Sequence, residues 1–268
     1  MSRRVSWLST ALVLGVVGGL AGCGADGDQT GSTAREPQLV TAGQLTICTS
    51  MPYEPFEFTK DGQPAGFDID LATEVAKRLS VTALFLNKDF DAIASGKLLN
   101  DGTCDVAVAG LTIAGDRARV IDFSSPYFNA AQTLVVDESS GVSSLASLAG
   151  DDIAVQSGTT GETYVTDNAP STAKIVTFTD PSLMAGAIER GDVAAAVYDN
   201  TVVGDVLSAH PDLAVAANFN TGEQYGMAVK KNGSVDLLRV IDDVLATLRS
   251  NGGYDKIYAT WFGGKPAA

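Results

Sequence analysis

From Leu45 onward, short runs of β-branched and aliphatic residues alternate with longer stretches in which apolar residues recur every three or four positions. The short runs are bounded by Gly, Pro, Asn or Asp, which is the pattern of buried strands. The predicted strands are Leu45–Cys48, Ala83–Leu86, Val106–Ala109, Thr133–Val136, Ile153–Val155, Ile175–Thr177, Val193–Val197 and Met227–Val229. Strands that alternate with helical segments predict an α/β fold.

The longer stretches carry their apolar residues on one helical face, as helices that pack on a core do. The two clearest stripes are Ile69, Ala72, Val75, Ala76 and Leu79, and Leu237, Leu238, Ile241, Val244, Leu245 and Leu248. A further helix is predicted to begin at Asp180 and Pro181, because Asp caps a helix and Pro fits its first turn. Gly191 ends that helix, since glycine adopts the left-handed conformation of a helix stop.

The segment with this pattern holds about 225 residues, which is large for one open sheet, so we expect two lobes with a cleft between them. Of the 268 residues in the chain, 45% are hydrophobic. A chain of this length and composition can bury a full core, which excludes disorder as the default state.

The chain is acidic, with a net charge of −14. Removal of the first 22 residues, which contain Arg3 and Arg4, changes the net charge to −16. An acidic body repels phosphate backbones and anionic lipid surfaces. The sequence contains no basic patch that would offset this charge. We therefore expect no nucleic-acid binding.

The first 22 residues have the three parts of an export signal: Arg3 and Arg4, the apolar run Ala11–Leu20, and small residues up to Gly22. The run is shorter than the roughly 20 apolar residues that span a bilayer, which argues against a retained anchor. The four residues that end at Cys23 resemble a lipobox, so residues 1–22 are predicted to be a lipoprotein signal peptide. The two arginines do not decide between the general secretory and the twin-arginine route.

Residues 23–43 are rich in Gly, Asp, Thr and Ser and are predicted to be a flexible tether. With Cys23 lipidated, Cys48 and Cys104 remain, and an exported chain can oxidise them to a disulfide. Two buried free thiols are the alternative. A single histidine and no Cys-x-x-Cys leave a structural zinc site without ligands, and we expect neither metal nor cofactor.

Polar residues follow several predicted strands, where open α/β sheets bind small molecules. Tyr53 follows the first strand and is a candidate ligand residue, whereas Phe56 is expected to close the lobe. Arg117 follows the loop that contains Gly110 and Thr112, and its planar guanidinium suits a carboxylate. A surface ion pair is the alternative for this arginine.

In the second half, Gln156 to Thr160 pass from a strand through a glycine turn into a helix start, which favours an anion. Thr159 is alternatively only the cap of that helix. Asp199 ends an apolar strand, where it suits an ammonium group or alternatively caps the next helix. One guanidinium, one anion-binding turn and one carboxylate together match a zwitterionic α-amino acid.

Several stretches in the same order resemble family 3 extracellular solute-binding proteins, the polar amino-acid binding components of bacterial ABC importers. The resemblance covers Leu45 to Gly263, and its stretches are Tyr53-Glu-Pro-Phe, Gly66-Phe-Asp-Ile-Asp-Leu71, Asp89-Phe-Asp-Ala-Ile93, Gly110-Leu-Thr-Ile-Ala-Gly-Asp-Arg117, Ile121-Asp-Phe-Ser-Ser-Pro-Tyr127, Ser157-Gly-Thr-Thr160 and Tyr254-Asp-Lys-Ile-Tyr-Ala-Thr-Trp-Phe262. It implies the type II periplasmic-binding-protein-like fold, in which two hinge strands join two α/β lobes around a ligand cleft. With the crossings expected near Asn129–Leu134 and Tyr225–Met227, lobe 1 would comprise residues 44–130 and 226–268, and lobe 2 residues 131–225.

The resemblance also implies residue roles. Asp199 would hold the ligand's α-ammonium, while Tyr53 and Phe90 would flank its side chain. The residues that would hold the α-carboxylate are Arg117, Gly110, Thr112, Thr159 and Thr160.

Members of the family that prefer cationic ligands carry an aspartate at the position of Ser50. This chain therefore departs from their pattern at that position. Glu54 or Glu57 would compensate for that aspartate if the ligand were cationic. Gln156 and Tyr198 occupy positions that face the ligand's side chain in the family, which favours glutamine or glutamate over lysine, arginine or ornithine.

The resemblance implies a monomer, lipid-anchored to the outer face of the cell membrane, that delivers its amino acid to a membrane permease. One alternative is an enzyme on the same fold, such as a dehydratase or a peptidoglycan lyase. His210 offers no support for this, because it precedes Pro211 in a predicted surface loop without a serine nucleophile motif. Another alternative is a sensor that signals to a membrane kinase.

Overall fold

The computed structural model describes residues 35–264 and Pro266, which belong to one compact unit, Arg35–Ala268. The predicted signal peptide 1–22, Cys23 and the tether up to residue 34 lie outside the described residues. Within the described part, no helix has the length and apolar character needed to cross a bilayer. The last part of the predicted tether lies on the folded body: Leu39 packs against the core, and the Val40 N–H donates to Asp105 Oδ1 at 2.6 Å.

Strands and helices alternate along the described residues, as predicted. The strands are β1 Gln44–Thr49, β2 Phe58–Lys60, β3 Gln63–Ala65, β4 Thr82–Asn87, β5 Val106–Ala107, β6 Ile121–Phe123, β7 Phe128–Asp137, β8 Asp152–Gln156, β9 Lys174–Phe178, β10 Ala195–Asp199, β11 Leu213–Tyr225 and β12 Ala228–Lys230. The α-helices are α1 Phe67–Leu79, α2 Phe90–Ala94, α3 Lys97–Asn100, α4 Thr160–Asn168, α5 Ser182–Glu189, α6 Val203–Ala209, α7 Val235–Asn251 and α8 Gly253–Phe262. Short 3-10 helices cover Arg117–Arg119 and Leu145–Ser147.

Two five-stranded sheets carry the fold. The first has the order β4-β1-β5-β12-β6, in which β1 runs parallel to β4 and β5, and β12 runs antiparallel to its two neighbours. The second has the order β11-β7-β10-β8-β9, in which β8 runs parallel to β9 and β10. We call the parts built on these sheets the first and second lobes, and the predicted two-lobed α/β fold is confirmed.

The chain passes from the first sheet to the second between β6 and β7 and returns between β11 and β12. Strands β7 and β11 pair antiparallel, with Tyr225 opposite Phe128 at the end nearest the first lobe. The exact residue limits proposed for the two lobes stay a prediction.

Helices cover the first sheet with the apolar stripes that the sequence predicts. On α1, Ile69, Ala72, Val75 and Ala76 are buried, and on α7 the buried residues are Leu237, Ile241, Val244, Leu245 and Leu248. Helices α1, α7 and α8 contact one another. Phe56, predicted to close the lobe, lies fully buried in an aromatic cluster with Phe67, Phe128 and Tyr225.

Cys48 in β1 and Cys104 just before β5 form a disulfide, with Cα atoms 5.8 Å apart. The parallel pairing of these two strands brings the cysteines together, since Cys48 lies opposite Ala107. The predicted pairing is therefore present in the structure, and the alternative of two free thiols is not.

Every predicted strand is present, with its ends displaced by one to a few residues. The β2–β3 hairpin, β6 and β11 were not predicted. Strand β11 alternates only between partly buried and exposed positions over most of its length, so it lacks the apolar run by which the other strands are identified. For α5, the helix begins at Ser182, whose N–H donates to Asp180 Oδ1 at 2.9 Å, and Gly191 takes the predicted positive φ of 73°.

Candidate functional site

Every residue that the sequence proposes for ligand binding lines one cleft between the lobes. The predicted residues along its walls are Ser50, Tyr53, Phe90, Gly110, Thr112, Arg117, Gln156, Thr159, Thr160, Tyr198 and Asp199. Tertiary structure thus assembles in one place residues that are up to 149 positions apart in the chain.

Strand ends position the first-lobe residues. Ser50 follows β1 directly, and Gly110 and Thr112 lie just beyond β5, because the carboxyl ends of parallel strands meet at one edge of the sheet. Gly110 has a φ of 53°, and a Cβ there would lie 2.7 Å from Cε1 of Tyr53. Only glycine therefore lets the Tyr53 ring pack on this loop. The Gly110 N–H donates to Asp68 Oδ2 at 2.8 Å, so it is engaged inside the protein, although we expected it to help hold the ligand carboxylate.

Arg117 projects from the short 3-10 helix into the cleft and is only 5% exposed. Its Nη1 donates to the Thr112 carbonyl and its Nη2 to the Gly158 carbonyl, both at 2.9 Å. Both partners are neutral, and none of the ion pairs among the described residues includes Arg117. The alternative of a surface ion pair is wrong, and a buried guanidinium remains available to an anion.

Phe90 lines the cleft and also lies against this arginine, with its ring centroid 5.4 Å from Cζ of Arg117. A ring face attracts a guanidinium and holds its plane in place. Phe90, predicted to contact the ligand side chain, therefore also contacts Arg117, the residue predicted to hold the ligand carboxylate.

The turn after β8 leads into α4, as predicted. Thr159 Oγ1 accepts from the Glu162 N–H at 3.1 Å and donates to the Gln156 carbonyl at 2.8 Å, so Thr159 caps α4 as well as lining the cleft. The start of α4 lies at the cleft wall, where the helix dipole favours a negative group. Thr160 Oγ1 donates to Glu223 Oε2 at 2.8 Å.

Asp199 ends β10 at the cleft. Gln132, its cross-strand neighbour on β7, donates to Asp199 Oδ1 at 2.6 Å, and the Tyr225 hydroxyl donates to Asp199 Oδ2. Burial raises the pKa of Asp199 to about 6, although the hydrogen bonds from Tyr225 and Gln132 oppose that rise. Helix α6 begins at Val203 without a cap from this carboxylate, so the alternative of a capping role is wrong.

Hydroxyl groups form a hydrogen-bonded network next to Asp199. The Tyr225 hydroxyl lies 3.3 Å from that of Tyr53 and 2.9 Å from Oγ1 of Thr201. These contacts hold the Tyr53 ring at the cleft wall and fix the direction of the Asp199 carboxylate. Asp199 itself lines the cleft.

Glu223, which no sequence pattern predicted, connects three elements around the cleft. Its carboxylate accepts from Thr112 at 3.1 Å, from Thr160 at 2.8 Å and from Gln132 at 3.1 Å. Its strand, β11, contains an irregularity between Phe219 and Glu223, and a bulge of this kind redirects side chains. Because β11 itself was not predicted, no signal in the sequence pointed to Glu223.

Gln156 and Tyr198, proposed to face the ligand side chain, lie on neighbouring strands of the second sheet, β8 and β10. Gln156 is at the end of β8, with Nε2 donating to the Thr179 carbonyl at 3.4 Å, and the buried Tyr198 hydroxyl has no hydrogen-bond partner among the described residues. Of the two glutamates considered as substitutes for an aspartate at Ser50, Glu57 is buried and lines the cleft, whereas Glu54 is exposed and does not. His210 lies outside this lining and pairs with Glu189 at 2.8 Å.

The chain is similar in sequence to known proteins. The family model of bacterial extracellular solute-binding proteins, family 3, matches residues 45–264. A Neisseria gonorrhoeae protein named as a probable histidine-binding protein is 31% identical over 267 residues, covering 96% of this chain and 95% of that protein.

Solved structures show the same fold. An ancestral arginine-binding protein bound to arginine matches with a TM-score of 0.78 and 37% identity, covering 82% of this chain and 99% of that one. An ancestral arginine-binding protein bound to glutamine matches with a TM-score of 0.77 and 37% identity, covering 84% of this chain and 100% of that one.

Proposed function

Since the chain belongs to the family 3 bacterial extracellular solute-binding proteins, we propose that it is the substrate-binding component of an amino-acid ABC importer. Its proposed ligand is a polar L-amino acid. The Neisseria gonorrhoeae relative and the two ancestral proteins reported above are named as binding proteins, and this chain is a binding protein rather than an enzyme.

The observation that carries the proposal is the charge pattern of the cleft. Arg117, buried and free of carboxylate partners, would hold the α-carboxylate near the start of α4. Asp199, held by Gln132 and Tyr225, would hold the α-ammonium from the second lobe. These two groups match the two charges that every zwitterionic α-amino acid carries.

Binding proceeds by closure of the lobes, because ligand contacts come from both sides of the cleft. Closure removes water from the paired groups, which strengthens their hydrogen bonds and makes any unpaired polar group costly. The ligand favours the closed state only through its difference in affinity between the two states. The closed form is then the one that the membrane permease recognises.

Ser50, Gln156 and Tyr198 support the expectation of a neutral or acidic polar ligand such as glutamine or glutamate over a cationic one. The relative is named for histidine, and the two ancestral arginine-binding proteins are bound to arginine and to glutamine, so cationic ligands belong in the same test. The proposal includes lipidation of Cys23 after removal of residues 1–22, with a monomer tethered outside the cell membrane near its permease.

The test is a thermal-shift screen of the chain from residue 24, which contains the whole compact unit, against the twenty standard amino acids. A ligand that binds only the native state raises the melting temperature. A rise confined to a few polar amino acids, confirmed by calorimetry, supports the proposal. If none of the twenty amino acids raises the melting temperature, the proposal is contradicted. Co-purification of a permease with the full chain would distinguish uptake from a sensor role.

A further inference from the structure

A groove between the lobes adjoins the ligand cleft and shares Tyr53, Pro181 and Tyr198 with it. Its first-lobe side is the loop Pro52–Glu54, which follows β1. Its second-lobe side is formed by α5 and α6, together with the residue before α5 and the end of β10. We call this depression the interlobe groove. Apart from the three shared residues, it has no part in ligand binding as proposed.

The floor of the interlobe groove is apolar. Ala185 on α5 and Val202 just before α6 line it and are only 2% and 5% exposed. The partly buried Val206 and the exposed Ala209, both on α6, continue this apolar lining. Covering an apolar surface removes it from water and favours association. The floor therefore suits an apolar side chain of a partner.

The rim of the groove is acidic. Glu54 from the first lobe and Asp205 from the second are both exposed, and no ion pair in the described part of the chain includes either carboxylate. His210, which also lines the groove, is already paired with Glu189 at 2.8 Å. No lysine or arginine of the described residues lines the groove. Its charge therefore attracts a cationic group beside the apolar one.

The two sides of the groove belong to different lobes. The chain crosses between the lobes from β6 to β7 and from β11 to β12. Rotation about these crossings would move the Pro52–Glu54 loop away from α5 and α6 and take the groove apart. A partner that contacts both sides therefore selects the closed arrangement. Because Tyr53 and Tyr198 also line the cleft, the ligand and the partner would contact the same two side chains.

The charge of the chain narrows the choice of partner. A second copy carries the same net charge of −14, and anionic lipid is also negative, so the acidic rim disfavours both. A segment of another protein that carries a basic residue beside an apolar one fits both the rim and the floor. In the proposed importer, the permease is the protein that distinguishes the closed form from an open one.

We infer that the permease recognises the closed protein at the interlobe groove. An extracytoplasmic segment of the permease places an apolar side chain between α5 and α6 and a lysine or arginine against Glu54 and Asp205. This inference rests on the proposed function and adds the surface by which closure is recognised. By linkage, occupancy of the groove and ligand binding strengthen each other by the same factor.

The test separates uptake from ligand binding. Ala209→Arg fills the groove from an exposed position on α6, and Asp205→Lys reverses the charge of its rim. Neither residue lines the ligand cleft, so calorimetry on the chain from residue 24 should find amino-acid affinities within about twofold of the wild type. Uptake of the same radiolabelled amino acid, by cells whose only copy of the gene encodes the full-length variant, should fall at least about tenfold.

The matched controls are Ala246→Arg and Asp243→Lys, at exposed positions on α7 outside the groove. Both should support normal uptake. Uptake is normalised to the amount of each variant in the membrane fraction, measured by immunoblotting. A loss confined to the two groove variants supports the inference.

Normal uptake by both groove variants overturns the inference. A matching loss of amino-acid affinity also overturns it, because the groove would then act on the cleft and not on a partner. Light scattering that finds a wild-type dimer, converted to a monomer by Ala209→Arg, would assign the groove to a second copy and overturn it as well. A wild type that binds no amino acid refutes the proposed function itself, which is a distinct result.

Discussion

Arg117 and Gly158 connect the two lobes directly: Nη2 of Arg117 donates to the Gly158 carbonyl at 2.9 Å. Arg117 follows the loop after β5 in the first sheet, and Gly158 follows β8 in the second. The guanidinium proposed to hold the ligand carboxylate therefore also contacts the opposite wall of the cleft. In the proposed function, ligand binding and closure of the lobes would share this residue.

Arg117→Ala should abolish amino-acid binding while the chain stays folded. The variant removes the cation that would pair with the α-carboxylate, and leaving that group unpaired in a closed cleft costs about 1–3 kcal/mol or more for a charged group. Calorimetry measures the affinity, and circular dichroism reports the fold. The matched control is Arg119→Ala, two positions on at an exposed site, which should bind normally. Near-normal affinity in a folded Arg117→Ala would refute the assignment.

Gly158→Ala should weaken ligand binding by obstructing closure. A Cβ at Gly158 would lie 2.7 Å from Cβ of Asp91, which belongs to the other lobe. Gly158 also has a φ of 76°, which strains any other residue.

Gly141→Ala is the matched control, because Gly141 has a φ of 71° and no atom within 4 Å of its Cβ position. The strain of a positive φ should cost Gly141→Ala about 1–2 kcal/mol of stability, as it does Gly158→Ala, but Gly141→Ala should keep its affinity. If the two variants bind the ligand equally well, the contact between Gly158 and Asp91 has no part in closure.

Ligand affinity should fall as the pH drops below about 6. The pKa of Asp199 in the unliganded protein is about 6, and an ammonium ligand binds the ionised form. Below that pH each binding event must release a proton, so the affinity should decrease up to about tenfold per pH unit and level off above pH 7. Calorimetry between pH 5 and 7.5 tests this, with Asp199→Asn expected to bind poorly throughout. An affinity that does not change over this range would contradict an ammonium site at Asp199.

Removal of the disulfide should destabilise the first lobe. Cys48 and Cys104 enclose a loop of more than 50 residues, and native disulfides of this kind contribute about 2–4 kcal/mol to the free energy of unfolding. The double variant Cys48→Ala and Cys104→Ala should show that loss in denaturant unfolding. Alkylation without reductant, followed by intact-mass analysis of the chain from residue 24, should find no free thiol. Two alkylated thiols would disprove the bridge.

The sequence alone determined the elements whose apolar pattern is strong, and the residues at their ends. Period-two runs and helical stripes predicted the strands of both sheets and the helices that cover them, because burial of one face imposes these periods on any sequence. The resemblance then placed Arg117, Thr160 and Asp199 in one site, and the structure shows that all of the proposed residues line a single cleft.

Tertiary structure alone decided how these groups are held. Glu223 and Tyr225 lie on β11, which pairs antiparallel with β7 through an irregular register, and no local pattern encodes such a pairing. Glu57 and Asp68 are each unremarkable acidic residues in the chain, and only the fold buries both of them completely. Local periodicity reports which face of an element is buried, whereas hydrogen-bond partners depend on contacts between elements far apart in sequence, and these exist only in the folded chain.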